Sequence, residues 1–315
     1  MIEQILEWLP DFVRSAVIQM PEDRRRNLEE IRLRTGQIPE IICSDGLWID
    51  PDKKQRRFTR HDAAAMLQKI SGYSLYTMEE ELRRGYITVR GGHRIGLAGR
   101  VITENGRVRR LRDVAFFNVR IARQKIGAGR PLIDYLYQDH RWLSTLFIGA
   151  PQTGKTTLLR DLARFISNGL PERGIPGEKT GIIDERSEIA GCVGGVPQND
   201  VGPRTDVLDA CPKAEGMMMM IRSMSPGVLA VDEIGGREDM DALVEALNAG
   251  VTVLASAHAG SLDELRKRPS FLKVLNIHLF ERYVVLTRTR GKRACRFSVL
   301  DELGGTMTTI EEVWR

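Results

Sequence analysis

No two of the four cysteines, Cys43, Cys192, Cys211 and Cys295, form a C-x-x-C pair in the 315 residues. That absence argues against both a zinc knuckle and a disulfide framework. Free thiols in a reducing cytosol are the expectation that remains. No apolar stretch approaches the roughly 20 residues that a membrane-spanning helix needs. The first apolar residues, Ile2, Ile5, Leu6 and Leu9, are interrupted by Glu3 and Glu7 and then by Pro10 and Asp11, so no signal peptide is expected. If such a protein works at a membrane, other proteins must hold it there. Aromatics are only 6% of the chain, and no aromatic platform for stacking bases is interleaved with the arginines. Repeats and low-complexity tracts are missing. So is a compact Lys/Arg block, since Arg24-Arg25-Arg26 reads as a solvated helix face.

What is present suffices for two domains. Hydrophobic residues make up 42% of the chain, enough to fill sizeable cores. Lys and Arg number 47 against 42 acidic residues, a net charge of +5 with a pI near 9.1, which permits an anionic partner without demanding one. Lys125 to Pro131, with Gly127 and Gly129, reads as a linker, so the boundary is set near residue 126. Residues 1–125 are expected to form a smaller α+β domain. Its first 35 residues read as helical, with Phe12, Val13, Ala16, Val17 and Met20 on one stripe behind Pro10. Short strands follow at Ile41–Cys43 and Leu47–Ile49 around the turn Ser44-Asp45-Gly46, then helical spacing at Ala63–Ile70 and Met78–Leu82. Tyr86–Arg90 and His93–Ile102 flank Gly91-Gly92 as a hairpin. A second turn at Glu104–Arg107 and a strand at Phe116–Arg123 complete an arginine-rich meander. Its arginines give one polar face, some of them in reach of a nucleotide bound next door.

Residues 126–315 alternate strands and helices, the pattern of a largely parallel sheet with flanking helices. A short helix, Leu132–Tyr137, leads into the strand Leu143–Ile148. Next comes Gly149-Ala150-Pro151-Gln152-Thr153-Gly154-Lys155-Thr156, which fits G-x-x-x-x-G-K-[ST], and Thr157 opens the helical run Leu158–Ile166. Strand, glycine-rich turn and helix are the context a phosphate cradle requires. The turn aims backbone N–H groups and the positive end of a helix at a polyphosphate. Lys155 then reaches the β- and γ-phosphates, and the Thr156 hydroxyl takes a place on Mg²⁺.

Further strands are expected at Thr180–Asp184, Val228–Val231 and Val251–Ser256, with a polar, glycine-rich stretch from Glu185 to Asp206. Ala214–Met224 and Asp239–Asn248 read as helices, the first with Met217 to Met220 as soft packing. Tyr283–Arg288 and Ala294–Leu300 read as an antiparallel hairpin around Arg290-Gly291-Lys292. In parallel sheets ligands bind beyond the carboxyl ends of strands, and there the chain carries chemistry. Asp232-Glu233 ends one strand; one carboxylate can serve Mg²⁺ and the other can prepare the attacking water. Asp184-Glu185-Arg186-Ser187-Glu188 ends another. His258, just past a third, can sense the γ-phosphate.

The order of these segments resembles the type II and type IV secretion ATPases, with their Walker A, Asp box, Walker B and His box. The likeness runs from residue 115 to Ser261 and includes Ile221–Pro226 before the strand ending Asp232-Glu233-Ile234-Gly235. Over its whole length, including Gly91–Arg100, the chain resembles a sporulation family of that superfamily. The resemblance implies a RecA-like P-loop ATPase domain with ATP and Mg²⁺. It implies Glu233, Asp184, Glu188 and His258 as catalytic, with Arg120 and Arg123 approaching the phosphates and Asp232 with Thr156 at the metal. It further implies a cytoplasmic homohexamer, bound peripherally to membrane-embedded channel proteins between mother cell and forespore. Asp232 is a departure, since the secretion ATPases usually carry glycine before that glutamate; whether Glu233 or an Asp-box carboxylate prepares the water stays open. A nucleic-acid-stimulated motor and a nucleotide-gated scaffold with little turnover are the competing readings.

Overall fold

The computed structural model describes residues 2–48, 56–72, 79–288 and 294–313. The chain divides into two compact units, Met1–Arg123 and Gln124–Arg315. In the first, helices α1 (Glu3–Leu6), α2 (Asp11–Gln19) and α3 (Glu22–Arg26) precede strands β1 (Leu28–Arg34), β2 (Glu40–Cys43) and β3 (Gly46–Trp48). Helices α4 (Arg60–Ile70) and α5 (Glu79–Arg84) follow, then β4 (Tyr86–Val89), β5 (His93–Glu104) and β6 (Arg107–Arg120). The six strands form one antiparallel sheet in the order β3-β2-β1-β6-β5-β4.

Local chemistry explains most of these boundaries. Pro10 stands directly before α2, which buries Val13 and Val17. Thr59 caps α4: its hydroxyl accepts from Asp62 N at 3.1 Å, and the Asp62 carboxylate accepts from Thr59 N at 2.9 Å. The β4–β5 turn places Gly91 and Gly92 at φ of +84° and +74°, a backbone region open to glycine. The helical reading of the first 35 residues overruns by one element. Leu28, Ile31 and Leu33 are fully buried in β1, which lies between β2 and β6; pairing on both sides overrides a pattern that is ambiguous over seven residues. Of the expected short strands and helices, Ile49 and Met78 lie outside the described residues.

The second unit begins with α6 (Ile133–Leu136) and the small pair β7 (Tyr137–Gln138) and β8 (Arg141–Trp142). Then come β9 (Thr145–Gly149), α7 (Lys155–Asn168), β10 (Thr180–Asp184), β11 (Thr205–Asp209), α8 (Lys213–Met224) and β12 (Val228–Val231). The chain closes with α9 (Arg237–Asn248), β13 (Thr252–His258), α10 (Leu262–Arg266), α11 (Pro269–Asn276), β14 (Arg282–Arg288), β15 (Ala294–Leu300) and β16 (Thr306–Val313). The sheet order is β11-β10-β12-β13-β9-β14-β15-β16. The first six strands are mutually parallel, and β15 and β16 are added by successive antiparallel pairings.

Alternate residues of the central strands feed two separate cores, as a sheet covered on both faces requires. Phe147, Val228 and Ala230 pack with Leu158 and Leu162 of α7. Leu146, Ile148, Leu229 and Val231 pack with Leu243 of α9 and Phe271 of α11. Burial on both faces is why these strands read as unbroken apolar runs. Edge strand β11 opens at the end of the stretch read as polar loop; all five of its residues are only half-buried, so its sequence carries no apolar run. Of the methionine run, Met217 and Met220 are buried, while Met219 is 53% exposed. The expected turn residues Arg290-Gly291-Lys292 lie outside the described residues. The four cysteines are free thiols.

Candidate active site

Strand register brings the chemistry-bearing segments level. His258 is the Cα partner of Gly149 across the β13–β9 ladder. Val231 pairs with Ile183 on one side and Ala255 on the other, so Asp232, Asp184 and Ser256 follow at the same sheet edge. That edge is the carboxyl end of the parallel strands, where α7 also begins.

The turn between β9 and α7 is built for close approach. Gly154 caps α7 at φ +97° and Gln152 sits at φ +63°, left-handed angles of the kind from which anion-binding turns are built. A Cβ on Gly149 would lie 2.5 Å from Thr153 Oγ1 and 3.1 Å from the Leu286 carbonyl. We expect Gly149→Ala to fold but to displace this turn at a cost of about 1–3 kcal/mol. Nucleotide affinity, measured by titration with a fluorescent ATP analogue, should fall at least about fivefold; an unchanged Kd would show that the turn tolerates the methyl group. Below the turn, Thr153 Oγ1 donates to Ala150 O at 2.8 Å and Cys295 Sγ lies 3.2 Å from Thr153 O.

Lys155 is 4% exposed, and its Nζ donates to Gly149 O at 2.8 Å and Ala150 O at 2.9 Å. Its third neighbour is His258 Nδ1 at 3.1 Å. An ammonium has three donors and no lone pair, so His258 Nδ1 accepts and the imidazole proton resides on Nε2. That proton points to Glu233 Oε1, 2.8 Å away. Burial lowers the Lys155 pKa, opposed by the charges of Asp232 and Glu233. Burial by itself would raise the Glu233 carboxyl. The His258 bond, Arg186 and Lys155 outweigh it and hold Glu233 below the ordinary glutamate value. Arg186 Nη1 lies 2.8 Å from Glu233 Oε2. Glu233 itself sits at φ +54°, a strained position for a non-glycine residue of the kind that clusters at functional sites.

Asp232 is held for a different task. Its Oδ2 accepts from Thr156 Oγ1 at 2.6 Å, and its Oδ1 accepts from Ser256 Oγ. One hydroxyl and one carboxylate side by side suit a Mg²⁺ that keeps water and phosphate oxygens as its other ligands. Among the described residues no cluster of three or more His, Cys, Asp or Glu side chains could hold a metal. Phosphate would therefore have to complete the coordination, and the residues present fit that requirement.

Asp184 is 2% exposed and faces the loop that follows it. Its Oδ1 accepts from Glu188 N at 2.7 Å, and its Oδ2 from Ile189 N at 3.0 Å and Ala190 N at 2.8 Å. Burial pushes its pKa up, against these three donors. Asp184, expected among the catalytic carboxylates, accepts backbone amides of the following loop on both of its oxygens. Asp184, Glu185 and Glu188 line a cleft with Arg186, Lys213, Asp232 and Glu233, and Glu185 is paired with Lys213. Arg120 and Arg123 belong to the first unit, where Arg120 is exposed at the end of β6 and Arg123 donates to Leu28 O at 2.8 Å.

Three contributors escaped the sequence reading. Ser256 donates to Asp232 and accepts from Glu233 N at 2.9 Å; a lone hydroxyl within the apolar run Val253–Ala257 was the available signal. Arg186 gave none, because a charge in a polar loop usually faces solvent. Arg160, on α7, is 9% exposed and was legible only as one more helix charge.

Comparison with known proteins follows the same outline. The ATPase DotB of Legionella pneumophila superposes with a TM-score of 0.60 at 16% identity, covering 94% of this chain and 83% of that one. The pilus retraction motor PilT, solved with bound ADP, gives 0.63 at 15% identity, covering 95% and 83%. At such identities the likeness is one of fold, that of the RecA-like secretion ATPases. The family model described as "Sporulation stage III, protein AA" matches residues 2–306. Stage III sporulation protein AA of Bacillus subtilis (strain 168) is 55% identical over 290 residues, 92% of each chain.

Proposed function

The chain belongs to the stage III sporulation protein AA family, and from that premise we propose that it is a Mg²⁺-dependent ATPase and the motor subunit of a sporulation machine. The observation that carries this reading is the junction of Lys155, Thr156, Asp232, Glu233 and His258 at one sheet edge. The turn from Gly149 to Thr156, with Thr157 in the first turn of α7, cradles the triphosphate of ATP. Lys155 leaves the carbonyls of Gly149 and Ala150 for the β- and γ-phosphates. Thr156 and Asp232 hold Mg²⁺, which neutralises charge on the transferring group when bound. Glu233, kept ionised by its neighbours, takes the proton of the attacking water. His258 joins Lys155 to Glu233, so the base is aligned only when the lysine is placed. Arg120 and Arg123, from a neighbouring surface, meet the charge that builds on the phosphoryl group.

The subunit acts as a homohexamer and energises assembly of, or transport through, a channel between mother cell and forespore. It works from the cytoplasm, attached to membrane-embedded channel proteins. No described helix is long and apolar enough to cross a membrane.

The test is hydrolysis measured against protein concentration, with sizing of the same samples with and without ATP. We expect the rate per chain to rise together with a larger species. A rate per chain that is flat over a range where only monomer is present would sink the assembled motor, and absence of hydrolysis at every concentration would leave the gated scaffold. Arg120→Ala should lower turnover at least about tenfold while ATP affinity changes less than about threefold, since such arginines act chiefly on the transition state. Arg123→Ala should do the same with an added stability loss of about 1 kcal/mol from its bond to Leu28 O. Unchanged turnover in both would remove them from the site.

A further inference from the structure

Arg160 lies four residues beyond Thr156 on α7, one helical turn along the same face. The residue is nine-tenths buried. Nη2 donates to Glu188 O at 2.6 Å and Nε donates to Ile189 O. The N–H groups of the same two residues are held by Asp184 at the end of β10. The Glu188–Ile189 segment is thus gripped twice, by its amides from the sheet and by its carbonyls from the phosphate helix. Glu188 and Arg186, which flank Ser187 in this loop, face the cleft, and Arg186 reaches Glu233. A second tie meets at the same carbonyl, where Asn199 Nδ2 donates to Ile189 O at 3.0 Å. Asn199 comes from the far side of the loop, and its side chain ties that carbonyl without a bond from Arg160.

We propose that Arg160 is a positioning residue that transmits the placement of α7, set by phosphate and metal at Lys155 and Thr156, to the Glu188–Ile189 segment. This rests on the ATPase reading. Through that link the loop brings Glu188 into the cleft and sets the distance of Arg186 from the base. Two donors in a planar fork suit two successive carbonyls, a geometry a lysine cannot copy. The buried cation also stands near Asp184 and Asp232, the first of which packs under the loop and the second beside the metal position.

The experiment compares wild type with Arg160→Lys, Arg160→Met and Asn199→Ala in the full chain. Steady-state kinetics are combined with hydrogen exchange of the segment 185–199, with and without ATPγS. Arg160→Lys keeps the charge on a single donor nitrogen, so it should fold, with kcat lowered about tenfold or more at a KM within about threefold of wild type. Nucleotide should slow exchange in 185–199 of wild type and Asn199→Ala, and should not in Arg160→Lys. Arg160→Met should lose about another tenfold in kcat if it folds, and the lysine variant decides the matter if it does not. Should Asn199→Ala lower kcat as far as Arg160→Lys, the loop needs only order and the inference falls. It falls too if Arg160→Lys retains wild-type kcat and nucleotide-dependent protection. Wild type that binds ATPγS but hydrolyses nothing would overturn the ATPase reading, and the exchange comparison would still decide the link through Arg160.

Discussion

Replacing Lys155 with alanine is expected to remove measurable nucleotide binding. The side chain is buried, and all three of its donors are committed to Gly149 O, Ala150 O and His258. In the nucleotide complex the two donors now held by the carbonyls would turn to phosphate oxygens, while the third stays on His258. Removing a charge-assisted partner in such surroundings costs at least about 3 kcal/mol, roughly two orders of magnitude in Kd. Alanine also frees the two loop carbonyls that the ammonium now ties, so the turn loses its internal brace. Equilibrium titration with a fluorescent ATP analogue measures the first effect. Circular dichroism and thermal unfolding separate it from collapse of the fold. Binding within about threefold of wild type would mean that the Gly149–Thr156 turn does not hold phosphate, and the whole assignment would go with it.

Glu233→Gln should behave in the opposite way. The amide keeps the shape of the carboxylate and can still accept from His258 Nε2, so ATP affinity should stay within about threefold. What disappears is the negative charge that takes a proton from water, and loss of a positioned base lowers turnover by about 10²–10⁴-fold. Single-turnover hydrolysis of prebound ATP reads this directly, free of product release. Normal hydrolysis by the glutamine variant would move the base into the Asp-box loop. Glu188 and Glu185 would then be the candidates, ahead of Asp184, whose two oxygens already accept three backbone N–H groups.

The contrast between Asp184 and Asp232 shows where residue patterns stop being informative. Each ends a buried parallel strand and each is followed by glutamate, so in sequence they look alike. Asp232 meets a threonine hydroxyl on α7 and a serine hydroxyl on β13, both distant along the chain. Asp184 meets amides four to six residues ahead of it. The direction each carboxylate faces depends on the turn that follows its strand, and neither turn has a repeating pattern to read. Strand β1 makes the same point for the fold. Leu28, Ile31 and Leu33 satisfy part of a helical spacing and part of an alternating one, and only the partners β2 and β6 decide between them.

From the residues alone came the glycine-rich turn, the strand that delivers it, the helix that leaves it, and the acidic pair and histidine that end two other strands. These are legible because a parallel strand buried on both faces is a continuous apolar run, and because a backbone cradle admits few residue types. The tertiary structure decided what each polar group serves: Thr156 with Asp232, Lys155 with His258, His258 with Glu233, and Arg160 with the loop after β10. Such pairings join residues up to 103 positions apart. They follow from strand order in the sheet, which side-chain pattern does not encode, because every parallel strand presents the same apolar face whatever its neighbour.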